Sequence, residues 1–268
     1  MQNTFLILAC ALYVCCAILP ARFGMVISVG TGFAWLLHGA GLWLEVIAPG
    51  SLRLGFAMML SATLWISVFC YWLENRNFGL DGLRLLVLPH AALAVILPLV
   101  FPGQVVLLES KSYLFGWHIV IAILAYSTLT LAAFHAVLMT FQESRLHARN
   151  GAFHASWLSA AIDRLPALMT MEKLLFRLIG FGFVLLTLTV LSGVVFSEQL
   201  FGKAFKWEHK TAFTILSWVL FGVLLAGRRW WGWRGKTALR FTLAGFSTLL
   251  LAYVGSRFVL EVILHKGM

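Results

Sequence analysis

Charged residues are scarce in this sequence, and so are the cysteine patterns that carry redox chemistry. Only 11% of the 268 residues are charged and 61% are apolar, whereas soluble domains carry about 25% charged and about 45–50% apolar residues. A soluble enzyme and a disordered chain are both excluded. No C-x-x-C or C-x-x-C-H occurs, which argues against thiol redox chemistry and covalent haem attachment. The four cysteines, Cys10, Cys15, Cys16 and Cys70, lie in apolar runs and are predicted to be buried structural thiols.

Acidic residues are half as numerous as basic ones, and the net charge is +10. Nucleic-acid binding would need a solvated basic face, which a chain lying mostly in lipid does not offer, so no nucleic-acid partner is predicted. Cytoplasmic loops of membrane proteins are rich in Lys and Arg. Thirteen basic residues fall in or beside the loops after spans one, three, five and seven, and six fall on the other side. The predicted orientation places both termini outside the cytoplasm.

Apolar runs of nearly membrane-spanning length dominate the chain, which predicts one all-α membrane domain over residues 1–268. A bilayer core about 30 Å thick needs roughly 20 residues per helix. Eight runs approach or exceed that length, at about 4–20, 24–48, 53–73, 82–101, 112–142, 173–197, 209–227 and 237–264.

The one long polar gap lies at 143–172 and is predicted to be a cytoplasmic loop. Its apolar residues recur at near-helical spacing from Phe153 to Leu168, which predicts a helix lying on the membrane surface. The Trp- and Arg-rich stretch 228–234 is interpreted as an interfacial anchor.

Ionisable residues within spans are candidate site residues. The acidic ones in the predicted spans are Glu45 and Glu261, both near outer ends. No carboxylate pair is predicted at the midplane and no inverted repeat is evident, which disfavours a small-solute transporter.

Histidines are the more informative group. His118 lies about 9 Å below the outer end of span five, His209 opens span seven, and His265 closes span eight on the same side. Imidazole is a good axial ligand for haem iron, and zinc is the competing ligand assignment. Packing remains the simplest interpretation of the deeper histidines, and the roles of His38 and His90 stay open.

Several motifs in the second half of the chain resemble the cytochrome c assembly family, the CcsA/CcmC/ResC haem-handling proteins. The first is Ser112-Tyr-Leu-Phe-Gly-Trp-His118, followed by Ala-Tyr126-Ser127. Further matches are Ser192-Gly193, the segment around Trp207-Glu208-His209-Lys210, Tyr253-Val-Gly255 and the closing Leu264-His265. The resemblance covers residues 112–267.

This resemblance implies that His118 and His265 are the two axial ligands of a haem b. Trp117 and Trp207 would then supply aromatic contacts, His209 would be an added ligand or an interfacial residue, and the cations Lys206, Lys210 and Arg257 would meet the propionates. Two histidine ligands leave no open iron position, which argues against an oxidase.

The tryptophan-rich segment of the family is degenerate here, because Glu208-His209 stands where the family has Asp-Pro. The sequence is therefore most similar to the HemX/YpjD-like branch. The function expected is a haem carrier, chaperone or regulator in a bacterial inner membrane, with an apocytochrome c or another haem-pathway protein as partner. The alternatives are a cytochrome c synthetase component and a haem-free scaffold that regulates haem biosynthesis.

Overall fold

The protein is an all-helical bundle with one small sheet at one end. The computed structural model describes residues 2–48, 51–107, 113–147, 165–201 and 209–263. The long helices of these segments are α1 (Gln2–Ile18), α2 (Gly24–Val46), α3 (Phe56–Phe78), α4 (Arg84–Val100), α5 (Tyr113–His147), α6 (Leu168–Phe201), α7 (His209–Trp231) and α8 (Gly235–Leu250). Short 3₁₀ turns at Ala21–Phe23 and Asp81–Leu83 precede α2 and α4.

Seven segments are long and apolar enough to cross a membrane: they are α2 to α8, taken together with the 3₁₀ turns before α2 and α4 and the irregular turns that continue α8 to Phe258. Helix α1 has 17 residues and measures about 26 Å, slightly less than the hydrocarbon core of about 30 Å. It packs along α2 and α4 and contributes buried Leu6, Ala9 and Tyr13 to the interior. These findings confirm the prediction of an all-α polytopic membrane protein. The sidedness of its termini stays a prediction.

Several of the helices are longer than the hydrophobic runs indicated. Helix α5 continues to His147 and α6 begins at Leu168, so both ends of the predicted loop at 143–172 are helical. Most of the predicted interfacial helix, from Phe153 to Leu168, lies outside the described residues; of its apolar positions, Leu165 is buried and Leu168 begins α6. Helix α3 also extends beyond its predicted end at residue 73, and Glu74 therefore lies within a membrane span. The expectation that the acidic span residues are Glu45 and Glu261 is thus incomplete.

A three-stranded antiparallel sheet was not anticipated. Its strands are β1 (Ile47–Ala48), β2 (Ser51–Leu54) and β3 (Gln104–Leu107), paired in the order β1-β2-β3. The sheet joins the α2–α3 and α4–α5 connections at one end of the bundle. Gly103 precedes β3 with φ +73°, and a Cβ there would lie 2.7 Å from the carbonyl oxygen of Leu54. Strands of two to four residues are too short for alternating hydrophobicity to identify.

A compact turn joins α7 and α8 at the opposite end. Glu172 of α6 is buried and pairs with Arg228 Nη1 at 2.7 Å and Arg234 Nε at 3.4 Å. Trp233 folds back over Gly227, where a Cβ would lie 2.3 Å from the indole. Trp230 and Trp231 are exposed, whereas Trp233 packs against the core. The predicted interfacial anchor therefore consists of two exposed indoles and one that closes the turn.

The end of the last helix departs from α geometry. Beyond Leu250 the chain forms a π turn at Leu251–Gly255, a short helix α9 at Ser256–Phe258, and a second π turn at Val259–Ile263. A π turn contains an extra residue and often lies at a functional site. This irregular segment runs beside α3 and α7.

Candidate histidine pocket

The imidazole of His118 is held in a defined orientation by α6. Its Nδ1 lies 2.9 Å from Ser192 Oγ, and that hydroxyl donates its hydrogen to the carbonyl oxygen of Thr189 at 3.1 Å. A hydroxyl has one hydrogen, so both contacts are satisfied together when Ser192 donates to Thr189 and His118 carries its hydrogen on Nδ1. Gly193 lies against the ring, because a Cβ there would be 3.4 Å from His118 Cε1.

His118 lines a pocket of about 180 Å³ at the same end of the bundle as the sheet. Leu54 of β2 forms one wall, Met59 and Thr63 of α3 form another, and α5 supplies an apolar wall from Phe115 to Tyr126. The remaining wall belongs to the irregular end of α8, as Tyr253, Val254 and Arg257. The pocket thus combines an oriented imidazole, one cation and mostly apolar surface.

Tyr126 connects the pocket to the last helix. Its hydroxyl donates to the carbonyl oxygen of Leu249 at 2.9 Å, immediately before the π turn. Tyr253 and Arg257 follow at helical spacing and line the same pocket. The hydrogen bond between α5 and α8 therefore fixes the start of the segment 251–257, which places Arg257 in the lining of the same pocket as His118.

The structure places the residues singled out from the sequence in three groups. His118 and Arg257 line one pocket. Trp117 is 52% exposed and does not belong to its lining, and His209 and Lys210 form the first turn of α7, His209 being exposed. Trp207 and His265 lie outside the described residues, as does Lys206.

Sequence reasoning gave no role to three residues of this pocket region: Ser192, Tyr126 and Tyr253. All three stand in the motifs that carry the family resemblance. Their spacing along the chain could not reveal the contact of Ser192 with His118, because 74 residues separate the two.

The remaining described histidines of the bundle have different surroundings. His38 is fully buried between Tyr13 Oη at 3.3 Å and Ser61 Oγ at 2.9 Å. His135 is also fully buried, and its Nε2 lies 3.6 Å from Glu74 Oε2. His90 is exposed on α4 and donates from Nδ1 to the carbonyl oxygen of Leu86 at 2.7 Å. The Nδ1 of His135 donates to the carbonyl oxygen of Leu131 at 2.9 Å. His38 and His135 are therefore internal hydrogen-bonding residues, whereas His118 lines a pocket.

The fold and the pocket define a polytopic helical membrane protein that holds an oriented histidine at one end of its bundle. The sequence model of the family described as "Cytochrome C assembly protein" matches residues 25–264. The chain belongs to the cytochrome c assembly family.

Named relatives agree with this assignment. The Inner membrane protein YpjD of Escherichia coli strain K12 is 34% identical over 146 residues, covering 54% of this chain and 52% of the relative. The Cytochrome c biogenesis protein CcsA of Guillardia theta is 28% identical over 157 residues, covering 56% of this chain and 52% of the relative. The matches thus span about half the length of these relatives. No solved structure matches the chain.

Proposed function

We propose that this protein binds haem b in the pocket beside His118 and acts as a haem carrier or chaperone in an inner membrane. The observation that carries the proposal is the imidazole of His118, oriented by Ser192 at 2.9 Å and lining a pocket with Arg257. Membership of the cytochrome c assembly family supports a role in handling haem.

The chemistry of the pocket fits the cargo. A porphyrin ring needs apolar walls, which helical bundles supply between facing helices, and its iron takes a neutral imidazole nitrogen. The contact of Ser192 with Nδ1 supports Nε2 of His118 as the nitrogen that would bind the iron. Arg257 supplies a cation, and charge-assisted hydrogen bonds to a propionate carboxylate are stronger than neutral ones.

His265 is the second axial ligand in this proposal. It lies just beyond the π turn that ends at Ile263, and Arg257 of the same terminal segment lines the pocket of His118. Two imidazoles fill both axial positions of the iron, so haem held here is carried rather than used for oxygen chemistry.

Some residues that the sequence suggested as haem contacts have smaller roles in this proposal. Trp117 is too exposed to form a wall of the pocket, and we assign it to the bundle surface. His209 and Lys210 begin α7, where Lys210 offers a further positive charge. Trp207 remains a proposed aromatic contact of the haem.

A synthetase component is the second candidate, because the relative from Guillardia theta is named as a cytochrome c biogenesis protein. In that function the haem would pass to an apocytochrome c. Either function requires haem to bind first, whereas a haem-free scaffold does not.

The test is the absorption spectrum of the purified protein in detergent, oxidised and reduced, as isolated and after adding haemin. We expect a b-type spectrum for the wild type and its loss in His118→Ala and in His265→Ala. His90→Ala is the matched control, because that imidazole is exposed on α4 away from the pocket. A wild-type protein that stays colourless after added haemin would refute the proposal and favour the scaffold.

Transfer is tested separately from binding. Haem-loaded protein is mixed with an apocytochrome c, and the appearance of covalently bound haem is followed by haem stain after denaturing electrophoresis. A carrier transfers no haem covalently on its own, whereas a synthetase component does so under reducing conditions. Retained haem with no covalent product supports the carrier.

A further inference from the structure

A second cavity lies between α2 and α3, nearer the end of the bundle opposite the histidine pocket. Its volume is about 190 Å³, and its surface is almost entirely apolar. Gly32 of α2 and Trp72 of α3 line it, and Trp35 of α2 stacks on Phe69 of α3 at its side, with ring centroids 5.1 Å apart. Leu36 and Phe69 are 59% and 38% exposed, so the cavity is a groove open to the surroundings of the helices, which in a membrane are lipid.

Two tryptophan contacts between α2 and α3 bound the groove at its ends. At one end Trp35 and Trp65 stack with ring centroids 5.0 Å apart, and each indole donates to the other residue's carbonyl oxygen, at 3.1 and 2.9 Å. At the other end Trp72 donates to Ser28, at 3.0 Å to the hydroxyl. Ser28 and Trp35 are seven residues apart, so the groove extends about 10 Å along the membrane normal.

The floor of the groove contains unfilled space at Gly32. A Cβ at this position would meet no atom within 4 Å, although the helix would gain stability from almost any other residue there. In contrast, Gly39 on the same helix lies against Trp65, with only 2.8 Å for a Cβ. Gly32 therefore keeps open a volume that no neighbouring side chain of the protein occupies.

A cation stands at the end of the groove near the helix terminus. Arg76 lies one turn beyond Trp72, two residues before α3 ends, and its Cζ is 5.0 Å above the Trp72 ring. Arg22 precedes α2 at the same end and is exposed. The nearby acid, Asp81, accepts a hydrogen bond from Asn75 at 3.2 Å. The groove thus has an apolar length and a positively charged mouth.

We propose that this groove binds one acyl chain of an anionic phospholipid, with the headgroup phosphate at Arg76. The chain lies along Gly32 between the stacked ring of Trp35 and the ring of Trp72. A cation at the membrane surface attracts anionic lipid, and the apolar length provides the affinity for the chain. This site is separate from the histidine pocket and does not depend on haem binding.

The experiment is native mass spectrometry of the delipidated protein with added dioleoyl phosphatidylglycerol or dioleoyl phosphatidylcholine. We expect the wild type to retain one phospholipid at lower lipid concentration than any further molecules, with phosphatidylglycerol preferred. Gly32→Leu fills the groove and removes this first binding event. Gly180→Leu on α6 is the matched control, because a Cβ there also meets no atom within 4 Å.

The variant Arg76→Gln separates the contribution of the headgroup to binding from that of the acyl chain. One phospholipid still binds, and the preference for phosphatidylglycerol falls about fivefold, as expected for one basic residue near the surface. Glycerol 3-phosphate, which has no acyl chain, does not bind. Thermal unfolding confirms that the variants fold, and Gly32→Ala, which fills less of the groove, gives a partial loss if Gly32→Leu is unstable.

Three results would overturn the proposal. One is equal phospholipid binding by the wild type, Gly32→Leu and Gly32→Ala. Another is binding of glycerol 3-phosphate alone, which would indicate an anion site without a chain. The third is a dimer that forms in the wild type and is lost in Gly32→Leu, which would assign the groove to a second copy of this chain.

Discussion

His38 and His118 are both membrane histidines bound to a serine hydroxyl, yet their surroundings give them different capacities. His38 has a side-chain partner at each nitrogen, Tyr13 and Ser61, and no exposed surface. His118 has Ser192 at Nδ1 and a pocket beside the rest of the ring. The imidazole of His38 connects α1, α2 and α3 through these two contacts. The imidazole of His118 borders a cavity. The two histidines therefore differ in whether the imidazole borders a pocket, although both lie within the helical bundle.

The largest expected contrast between the two is in haem affinity. His118→Ala removes a proposed iron ligand, and we expect at least a hundredfold weaker binding of haemin. His38→Ala leaves the pocket intact, so its affinity should equal that of the wild type. Titration of both variants with haemin, followed by the Soret band, measures this affinity, and equal losses in the two would show that His118 and His38 do not differ in haem binding.

Ser192→Ala tests whether orientation of His118 matters. Groups that hydrogen-bond a metal-ligating histidine typically contribute about 10- to 100-fold to affinity, and we expect a loss near the lower limit. Ser192→Thr keeps the hydroxyl and should restore most of the affinity. If Ser192→Ala binds haemin as tightly as the wild type, the hydrogen bond has only a packing role.

For the stability of the haem-free protein, we expect the larger effect at His38 and the smaller one at His118. His38→Ala leaves the buried hydroxyls of Tyr13 and Ser61 without this partner, and an unsatisfied buried polar group costs about 1–3 kcal/mol. His118→Ala, at a half-buried position, should lower the stability of the haem-free protein by less. Thermal unfolding in detergent without haem compares the two, and a larger loss for His118→Ala would contradict the expectation.

The smallest effect is expected at Tyr126. Tyr126→Phe removes the hydrogen bond to the Leu249 carbonyl, which is worth about 1 kcal/mol. The π turn carrying Tyr253 and Arg257 should then be less well fixed, with a modest loss of haem affinity. Hydrogen exchange across residues 249–257 reports this, and Thr214→Val, which removes a hydroxyl of α7 bonded within its own helix, serves as the comparison.

Much of the helical framework was predictable because a bilayer imposes it. Each spanning segment must be apolar over a fixed length, so the helices from α2 to α8 appear directly in the sequence. Their ends were less predictable, as Glu74 shows: the hydrophobic run stops at residue 73, but helix α3 continues to Phe78. Glu74 Oε2 lies 3.6 Å from His135 Nε2 of α5, a contact between helices that the sequence pattern does not report.

The site was predictable in its central residue and not in its surroundings. His118 is identified by its motif and its depth, and Arg257 by its charge in an apolar segment. Ser192, Tyr126 and the π geometry around Tyr253 depend on contacts between distant parts of the chain, which periodicity does not report. Sequence reasoning assigns Trp117 to the site because it precedes His118 in the sequence. Adjacent residues point to different faces of a helix, and Trp117 is exposed outside the pocket lining.

The ion pair of Glu172 with Arg228 has a consequence for how the chain is made. Glu172 begins α6 and Arg228 follows most of α7, so the 2.7 Å contact can form only after both helices have entered the bilayer and their ends have met. Until then each side chain must keep its own water shell or another counterion. The pair therefore closes the hairpin of α6 and α7 only when both helices are complete, and the second contact of Glu172, with Arg234 at 3.4 Å, ties the start of α8 to the same carboxylate.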